Sequence, residues 1–201
     1  LHEIDLTGGA VLETGCVYIV PLMESLALPA DISATANPKS STGRVDVFTR
    51  VIADRSRGFD QAAAGYEGPL YAEISPRTFP VLARQGSRLS QIRFRRGDTI
   101  LDAAQLRALH ERERLVDSDD ADLTNGVAVG VDLSGDFAGG LIGYRAKRHT
   151  GLIDVDLRGG YAIADFWEPM PARADRSLIL DPNEFYILAS KEAVQVPPDY
   201  A

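Results

Sequence analysis

Six residues of one stretch return 168 positions later with no shift in register. Leu12, Tyr18, Ile19, Glu24, Pro29 and Asp31 recur as Leu180, Tyr186, Ile187, Glu192, Pro197 and Asp199. A fixed offset held over about twenty positions marks a duplicated structural unit. The repeated stretch carries a short β-rich run, Cys16-Val17-Tyr18-Ile19-Val20, bounded by Gly15 and Pro21. Aromatic and β-branched residues of this kind suit a pleated, half-buried surface. The chain therefore reads as two related units built from short strands.

The rest of the pattern agrees. Val45-Asp46-Val47-Phe48, Val51-Ile52, Leu70-Tyr71-Ala72-Glu73-Ile74, Phe79-Pro80-Val81-Leu82 and Leu89-Ser90-Gln91-Ile92-Arg93-Phe94 read as strands. Residues 58–68 form a loop, and Pro76 ends the third run. Gly and Pro punctuate closely, which points to an all-β barrel or sandwich. One helix is predicted. Asp102 is its N-cap, with Gln105 three residues on as in a capping box. Leu101, Leu106, Leu109 and Leu115 supply its apolar side, and Glu111-Arg112-Glu113-Arg114 is solvated. An acidic run over 117–122 reads as an exposed linker. Strands resume over 126–133, 151–157, 161–167 and 178–189, with Trp167-Glu168-Pro169 as core packing followed by a turn. The expected organisation is a first unit over 1–98, a helical and acidic linker over 99–125, and the N-terminal part of a second unit over 126–201. The counterpart of Ser40 in the second unit would be position 208, so only the first unit shows its Ser/Gly loop. The start at Leu1 and the stop after Pro197-Pro198 read as a piece of a longer chain.

Net charge is −8 at neutral pH. That argues against nucleic acid or an anionic membrane as partner, so a polyanionic ligand would need a local basic pocket. No signal peptide and no membrane-spanning apolar run are read. Cys16 is the lone cysteine, which excludes an internal disulfide and fits a reducing cytoplasm.

One segment concentrates chemistry. Asn37-Pro38-Lys39-Ser40-Ser41-Thr42-Gly43-Arg44 holds two cations and three hydroxyls between a Pro and a Gly. Pro38 keeps Asn37 extended, and Gly43 lets the backbone turn or approach a ligand. Hydroxyls, backbone N–H groups, Lys39 and Arg44 could converge there on phosphate oxygens.

With its flanks, this segment resembles the dCTP deaminases of the dUTPase-like superfamily. Glu24-Ser25-Leu26-Ala27-Leu28-Pro29-Ala30-Asp31 is similar to that family's E-x-x-x-L-P-x-D. Lys39-Ser40-Ser41-Thr42-Gly43-Arg44 is similar to R-S-S-x-[AG]-R. Phe59-Asp60, Gly65-Tyr66-Glu67-Gly68 and Leu70-Tyr71-Ala72-Glu73 are similar to its I-D, its G-[WY]-x-G and its strand-borne Glu. The run from Gly86 to Phe94, with Gln91, is similar to its terminal strand. The duplication resembles the double-length bacterial form. The fold this implies is an all-β, dUTPase-like distorted jelly-roll or β-barrel, duplicated, with one linker helix.

The resemblance implies hydrolytic deamination of dCTP to dUTP and ammonia. It assigns Glu73 as general base and proton shuttle; Leu70 and Ile74, its strand flanks, are expected to desolvate the carboxylate. Ser40 would orient the water or the amino group, with Arg44 beside the reacting centre. Lys39, Ser41 and Gln91 would hold phosphate oxygens, Thr42 and Gly43 would be among the substrate-binding residues, Asp60 would accept from the ribose 3′-hydroxyl, and Tyr66 would line the sugar or base pocket. Mg²⁺ would enter with the triphosphate, with no metal ligands of the chain's own. Zinc chemistry needs a His or Cys with a C-x-x-C, which Cys16, His2, His110 and His149 cannot supply; each His reads as a surface or linker residue. The family also implies a homo-oligomer of threefold or pseudo-threefold arrangement, with sites at unit boundaries, in the cytoplasm.

Four departures stand out. Lys39 replaces the usual Arg, which keeps charge but loses the bidentate fork. Asp46 stands where a Gly is common. The loop from Asp60 to Gly65 is longer than usual. No C-terminal tail of the single-unit enzymes is recognisable. Gly151-Leu152-Ile153-Asp154-Val155-Asp156-Leu157-Arg158-Gly159 resembles a dUTPase motif in the wrong order, and reads as an early strand of the second unit. A dUTP pyrophosphatase, a bifunctional enzyme and a non-catalytic nucleotide-binding unit remain alternatives.

Overall fold

The computed structural model describes residues 3–200. In chain order its elements are β1 (Ala10–Leu12), β2 (Tyr18–Ala27), β3 (Ile32–Pro38), the one-turn helix α1 (Ser40–Gly43), β4 (Val47–Ala53), β5 (Gln61–Ala62), β6 (Glu67–Pro76), β7 (Val81–Ala83), β8 (Ser90–Arg96), α2 (Ala103–Glu113), β9 (Leu141–Ala146), β10 (Ile153–Asp154), the one-turn helix α3 (Ile163–Phe166), β11 (Trp167–Pro171) and β12 (Tyr186–Leu188). They form two compact units. One holds the residues up to Asp98 together with Ala146–Trp167; the other holds Thr99–Arg145 and the residues from Glu168 onward. This division differs from the expected segments. The linker over 99–125 belongs to the second compact unit, and residues 146–167 fold into the first.

In the first unit, β2, β6 and β4 form one antiparallel sheet with β6 central. A second has the order β5-β3-β8. Along β4, Val47, Thr49, Val51 and Ala53 are buried while Phe48, Arg50 and Ile52 are not, the period of two that a pleated strand dictates. Ala34, Ala36 and Ala62 from one sheet meet Val51, Ala53 and Leu70 from the other. Leu22, Leu26, Leu28 and Tyr66 close the margin of this layer. β2 runs through Pro21 rather than stopping there. Pro21 sits opposite Tyr71 on an edge strand, where no second neighbour needs its missing N–H, and the register shifts just after it.

A third sheet, β1-β7-β10, completes this unit. β10 lies parallel to β7, with Ile153 opposite Val81. The Gly151 to Gly159 motif is thus a strand of the first unit, not of the second. Its Asp154 takes two hydrogen bonds from the Arg84 guanidinium, at 2.7 and 2.8 Å. That pairing holds the Asp154 carboxyl below the usual carboxylate range. Phe79, fully buried, meets Phe166 and Trp167 edge-on at 5.7 and 5.5 Å. Trp167 is core packing as expected, but a strand follows it instead of a turn.

The second unit is centred on the sheet β11-β9-β12. The predicted capping box is present. The Asp102 carboxylate accepts from the Ala104 and Gln105 N–H groups, and Gln105 accepts from the Asp102 N–H. Leu109 and Leu115 are buried. The strands expected later are shorter or absent. Residues 126–133 make only the bridge Val131 to Ser190, residues 161–167 hold α3, and β12 keeps three residues of 178–189. His149 is exposed, whereas His110 is half-buried; His2 lies outside the described residues. The duplication survives as a specific contact. The Tyr18 hydroxyl accepts from the Glu13 N–H at 2.9 Å, and 168 positions on, the Tyr186 hydroxyl accepts from the Asp181 N–H at 3.1 Å.

Candidate active site

The site grows from the register of β4 against β6. Arg50 stands directly opposite Glu73, and Ile19 of β2 stands opposite Glu73 on its other side. Arg50 Nη2 lies 3.0 Å from Glu73 Oε2, with both side chains largely withdrawn from water. The same guanidinium lies over Phe59, its Cζ 3.5 Å from the ring centroid, and within 5.3 Å of the Phe48 centroid. A planar cation stacked on an aromatic face gains from the ring quadrupole. Leu70 and Ile74 do not flank the Glu73 carboxylate as expected. Alternation places them with Ala72 on the opposite face of β6, which is buried. Arg50, itself stacked on the two Phe rings, faces the Glu73 carboxylate instead.

These residues line a cavity of about 740 Å³. Gly43, Asp46, Phe48, Arg50, Phe59, Asp60, Glu73, Ser75 and Arg77 are among its walls. Two buried polar atoms on those walls lack a hydrogen-bond partner, Arg50 Nε and Ser75 Oγ. Asp46 adopts φ +53, and a left-handed backbone explains why Gly suits this position and Asp tolerates it. Its carboxylate accepts from the Thr78 hydroxyl at 2.6 Å. Burial pushes its carboxyl up, against the lowering effects of that hydrogen bond and of Arg77.

The predicted residues divide between this cavity and its surroundings. Gly43, Asp60 and Glu73 line it. Asp60 is also a structural pin: at φ +60, its Oδ1 accepts from the Val51 N–H at 2.7 Å. Lys39, Ser40, Ser41 and Arg44 belong to the α1 turn and its flanks, outside the cavity walls. Ser40, Ser41 and Arg44 are exposed, and Lys39 Nζ donates to the Arg88 carbonyl at 3.1 Å. Gln91, exposed on β8, faces Asn37 across the β3–β8 ladder, two residues from Lys39. Thr42 is buried, and its hydroxyl donates to the Leu89 carbonyl at 2.7 Å, so it anchors the turn. Tyr66 is outside the cavity as well: its ring packs on the core layer, and its hydroxyl bridges the Asp54 N–H and the Pro69 carbonyl. Arg50, Phe48 and Ser75 were not singled out from the sequence. Their only signal was alternation along β4 and β6, which shows that they share a face but not what they face.

Comparison with known proteins gives the family. The N-terminal domain model of 2′-deoxycytidine 5′-triphosphate deaminase matches residues 1–98, and the C-terminal domain model of the same enzyme matches residues 102–201. The chain belongs to the dCTP deaminase family. Among solved structures, the crystal structure of 2′-deoxycytidine 5′-triphosphate deaminase from Agrobacterium tumefaciens is 62% identical, with a TM-score of 0.93. The match covers 98% of this chain and 58% of that one, so this chain spans little more than half the length of that relative. The fold is the dUTPase-like β fold of this family. No curated protein matches.

Within the deaminase family pattern, the loop sequence from Lys39 to Arg44 folds as a single helical turn on an extended N-cap. It is tied to the residue just before β8 by the Lys39 N–H and the Thr42 hydroxyl, which share the Leu89 carbonyl. This fixes the exposed hydroxyls of Ser40 and Ser41 relative to Gln91 without placing any of them in the Glu73 cavity.

Proposed function

We propose that this chain hydrolyses dCTP to dUTP and ammonia. The observation that carries the reading is the seat of Glu73, a carboxylate set in a walled cavity of a dCTP deaminase family fold. Water attacks C4 of the cytosine ring and gives a proton to Glu73. Glu73 hands that proton to N3 and then carries the proton of the new C4 hydroxyl to the exocyclic nitrogen; the C4–N bond breaks, ammonia departs, and a C4 carbonyl beside an N3–H remains. Ser40 and Arg44 lie outside the Glu73 cavity of their own chain, so the reading gives them the water and the reacting edge at a boundary between copies in the assembly. Lys39, Ser41 and Gln91 serve the phosphates, Thr42 holds their turn in place, and Asp60 takes the ribose hydroxyl with its remaining acceptor capacity. Among the described residues, no three His, Cys, Asp or Glu side chains gather as a metal site requires. The reading gives Mg²⁺ to the triphosphate, where it screens charge. It also has the protein act in the cytoplasm as a homo-oligomer of threefold or pseudo-threefold form. Exposed Ile19 and Met23 on β2, with Val17 just before it, support assembly.

The test is to incubate the full chain with dCTP and Mg²⁺ and resolve the nucleotides by chromatography. dUTP with ammonia supports the reading; dUMP with pyrophosphate points to a pyrophosphatase. Glu73→Gln keeps the shape but cannot accept a proton. It is expected to lower turnover by ~10²–10⁴ while dCTP binding stays within about tenfold. Near-wild-type turnover in that variant removes Glu73 from the mechanism.

A further inference from the structure

We propose that Arg50 is an internal occupant of the base subsite, which a planar N–C–N edge of the ligand takes over by displacing it. This rests on the deaminase reading for the identity of the ligand. A guanidinium is a flat carbon with nitrogens in its plane, stacking through its face and donating through its edge. Arg50 does both at once here, face on Phe59 at 3.5 Å and edge on Glu73 at 3.0 Å. The 4-amino group, C4 and N3 of cytosine form the same kind of flat fragment. Its amino N–H can donate to Glu73 while the ring lies on Phe59. The carbonyl of a uracil at that position cannot donate, so the subsite separates the two bases.

Arg50 fills its place imperfectly. Its Nε is buried and without a partner, and Ser75 Oγ, on the wall of the same cavity, is likewise buried and unpartnered. Buried donors are normally satisfied, and two exceptions in one cavity mark a wall that is complete only with something bound. Glu73 cannot be offered to water and a substrate edge while Arg50 holds the oxygen the substrate would use. Binding therefore includes the work of moving Arg50, and the apparent affinity is the intrinsic one multiplied by the fraction of molecules in which Arg50 is out of the subsite.

The experiment compares the full-length wild type with Arg50→Ala, using acetamidinium chloride and Mg²⁺-dCTP as probes. Arg50→Gln, which keeps a stem in the strand row, is the second variant should the first not fold. Acetamidinium is expected to raise the melting temperature of the variant above that seen in equal NaCl, and to leave the wild type unchanged, because only the variant has the subsite open. The variant is expected to bind Mg²⁺-dCTP about tenfold more tightly, with a wider preference over Mg²⁺-dUTP, and acetamidinium should compete. Weaker dCTP binding by both variants makes Arg50 a direct ligand contact and overturns the proposal. So does a failure of acetamidinium to stabilise a folded variant while the wild type still turns dCTP over; that outcome leaves the deaminase reading intact. Stabilisation by acetamidinium with no dCTP binding to any form supports the self-occupied subsite and refutes the deaminase reading.

Discussion

Thr42 offers a measurable link between a buried hydroxyl and the chemistry of the loop. It is 3% exposed and donates to the Leu89 carbonyl at 2.7 Å. Thr42→Val keeps the branched shape and removes the donor. The Leu89 carbonyl still accepts from the Lys39 N–H at 2.9 Å, so it is not orphaned. The loss therefore belongs at the net value of one hydrogen bond, about 1 kcal/mol, rather than at the larger penalty of an unsatisfied buried group. For a chain of this size that is roughly 2–4 °C in melting temperature. The functional effect should be larger than the thermal one. Thr42 is one of the few ties that fix the turn bearing Ser40, Ser41 and Arg44, and small misplacements in a site can lower rates up to about 10²-fold. The expected result is a fall in kcat/KM of about tenfold for Val, with Thr42→Ser close to wild type in rate. Urea unfolding and steady-state deamination check the two parts. If Val loses stability but keeps wild-type kcat/KM, the tie has no part in positioning the loop.

Three further outcomes are expected. Lys39→Ala should mainly raise KM, because a point charge on phosphate acts equally in ground and transition states, whereas Arg44→Lys should lower kcat by losing the planar fork; steady-state kinetics in which both change only KM would reduce the loop to a phosphate clamp. Asp46→Asn keeps the left-handed backbone and the acceptor for Thr78. Since burial raises the folded carboxyl, Asp46 contributes most below its ordinary value and that contribution is lost as pH rises through the raised one. Melting temperatures at pH 4 and pH 7 should therefore show the variant gaining on wild type with rising pH, and a change in the opposite sense refutes the assignment. Gly143→Ala should disrupt the β9–β12 ladder, because an added Cβ would lie 2.2 Å from the Ile187 carbonyl oxygen; hydrogen exchange at Tyr186 to Leu188 that stays as slow as in wild type would contradict this.

What the sequence showed and what it hid divide by distance along the chain. The Asp102 and Gln105 capping box was legible because all its partners lie within one turn. The Ser/Gly loop was legible because its residue types are crowded into eight positions, and the duplication because it preserves spacing; the hydrogen bond that Tyr18 and Tyr186 share was not. Arg50 opposite Glu73 was not legible. They are 23 residues apart, and only the registration of β4 on β6 brings them together. Tyr66 was read as a pocket residue from its motif, yet its ring fills the margin of the core. No local pattern tells an aromatic that lines a cavity from one that packs beside it. Residues 126–133 alternate well enough to suggest a strand, but propensity makes a strand only where a neighbour supplies the ladder.

The third sheet of the first unit has a consequence for how the chain is made. β7 is complete at Ala83, but its parallel neighbour β10 and the Asp154 partner of Arg84 lie 70 residues farther on. At about 5–20 residues per second, roughly 4–14 s of synthesis separate the two. During that interval one edge of β7 stays open, and Phe79 lacks the aromatic rings of Phe166 and Trp167. The first unit thus begins folding before the second but finishes only after most of the intervening stretch has left the ribosome. A nascent chain stalled between those points would present an unpaired strand and an uncovered Phe, the state from which chaperone capture or edge-to-edge association is most expected.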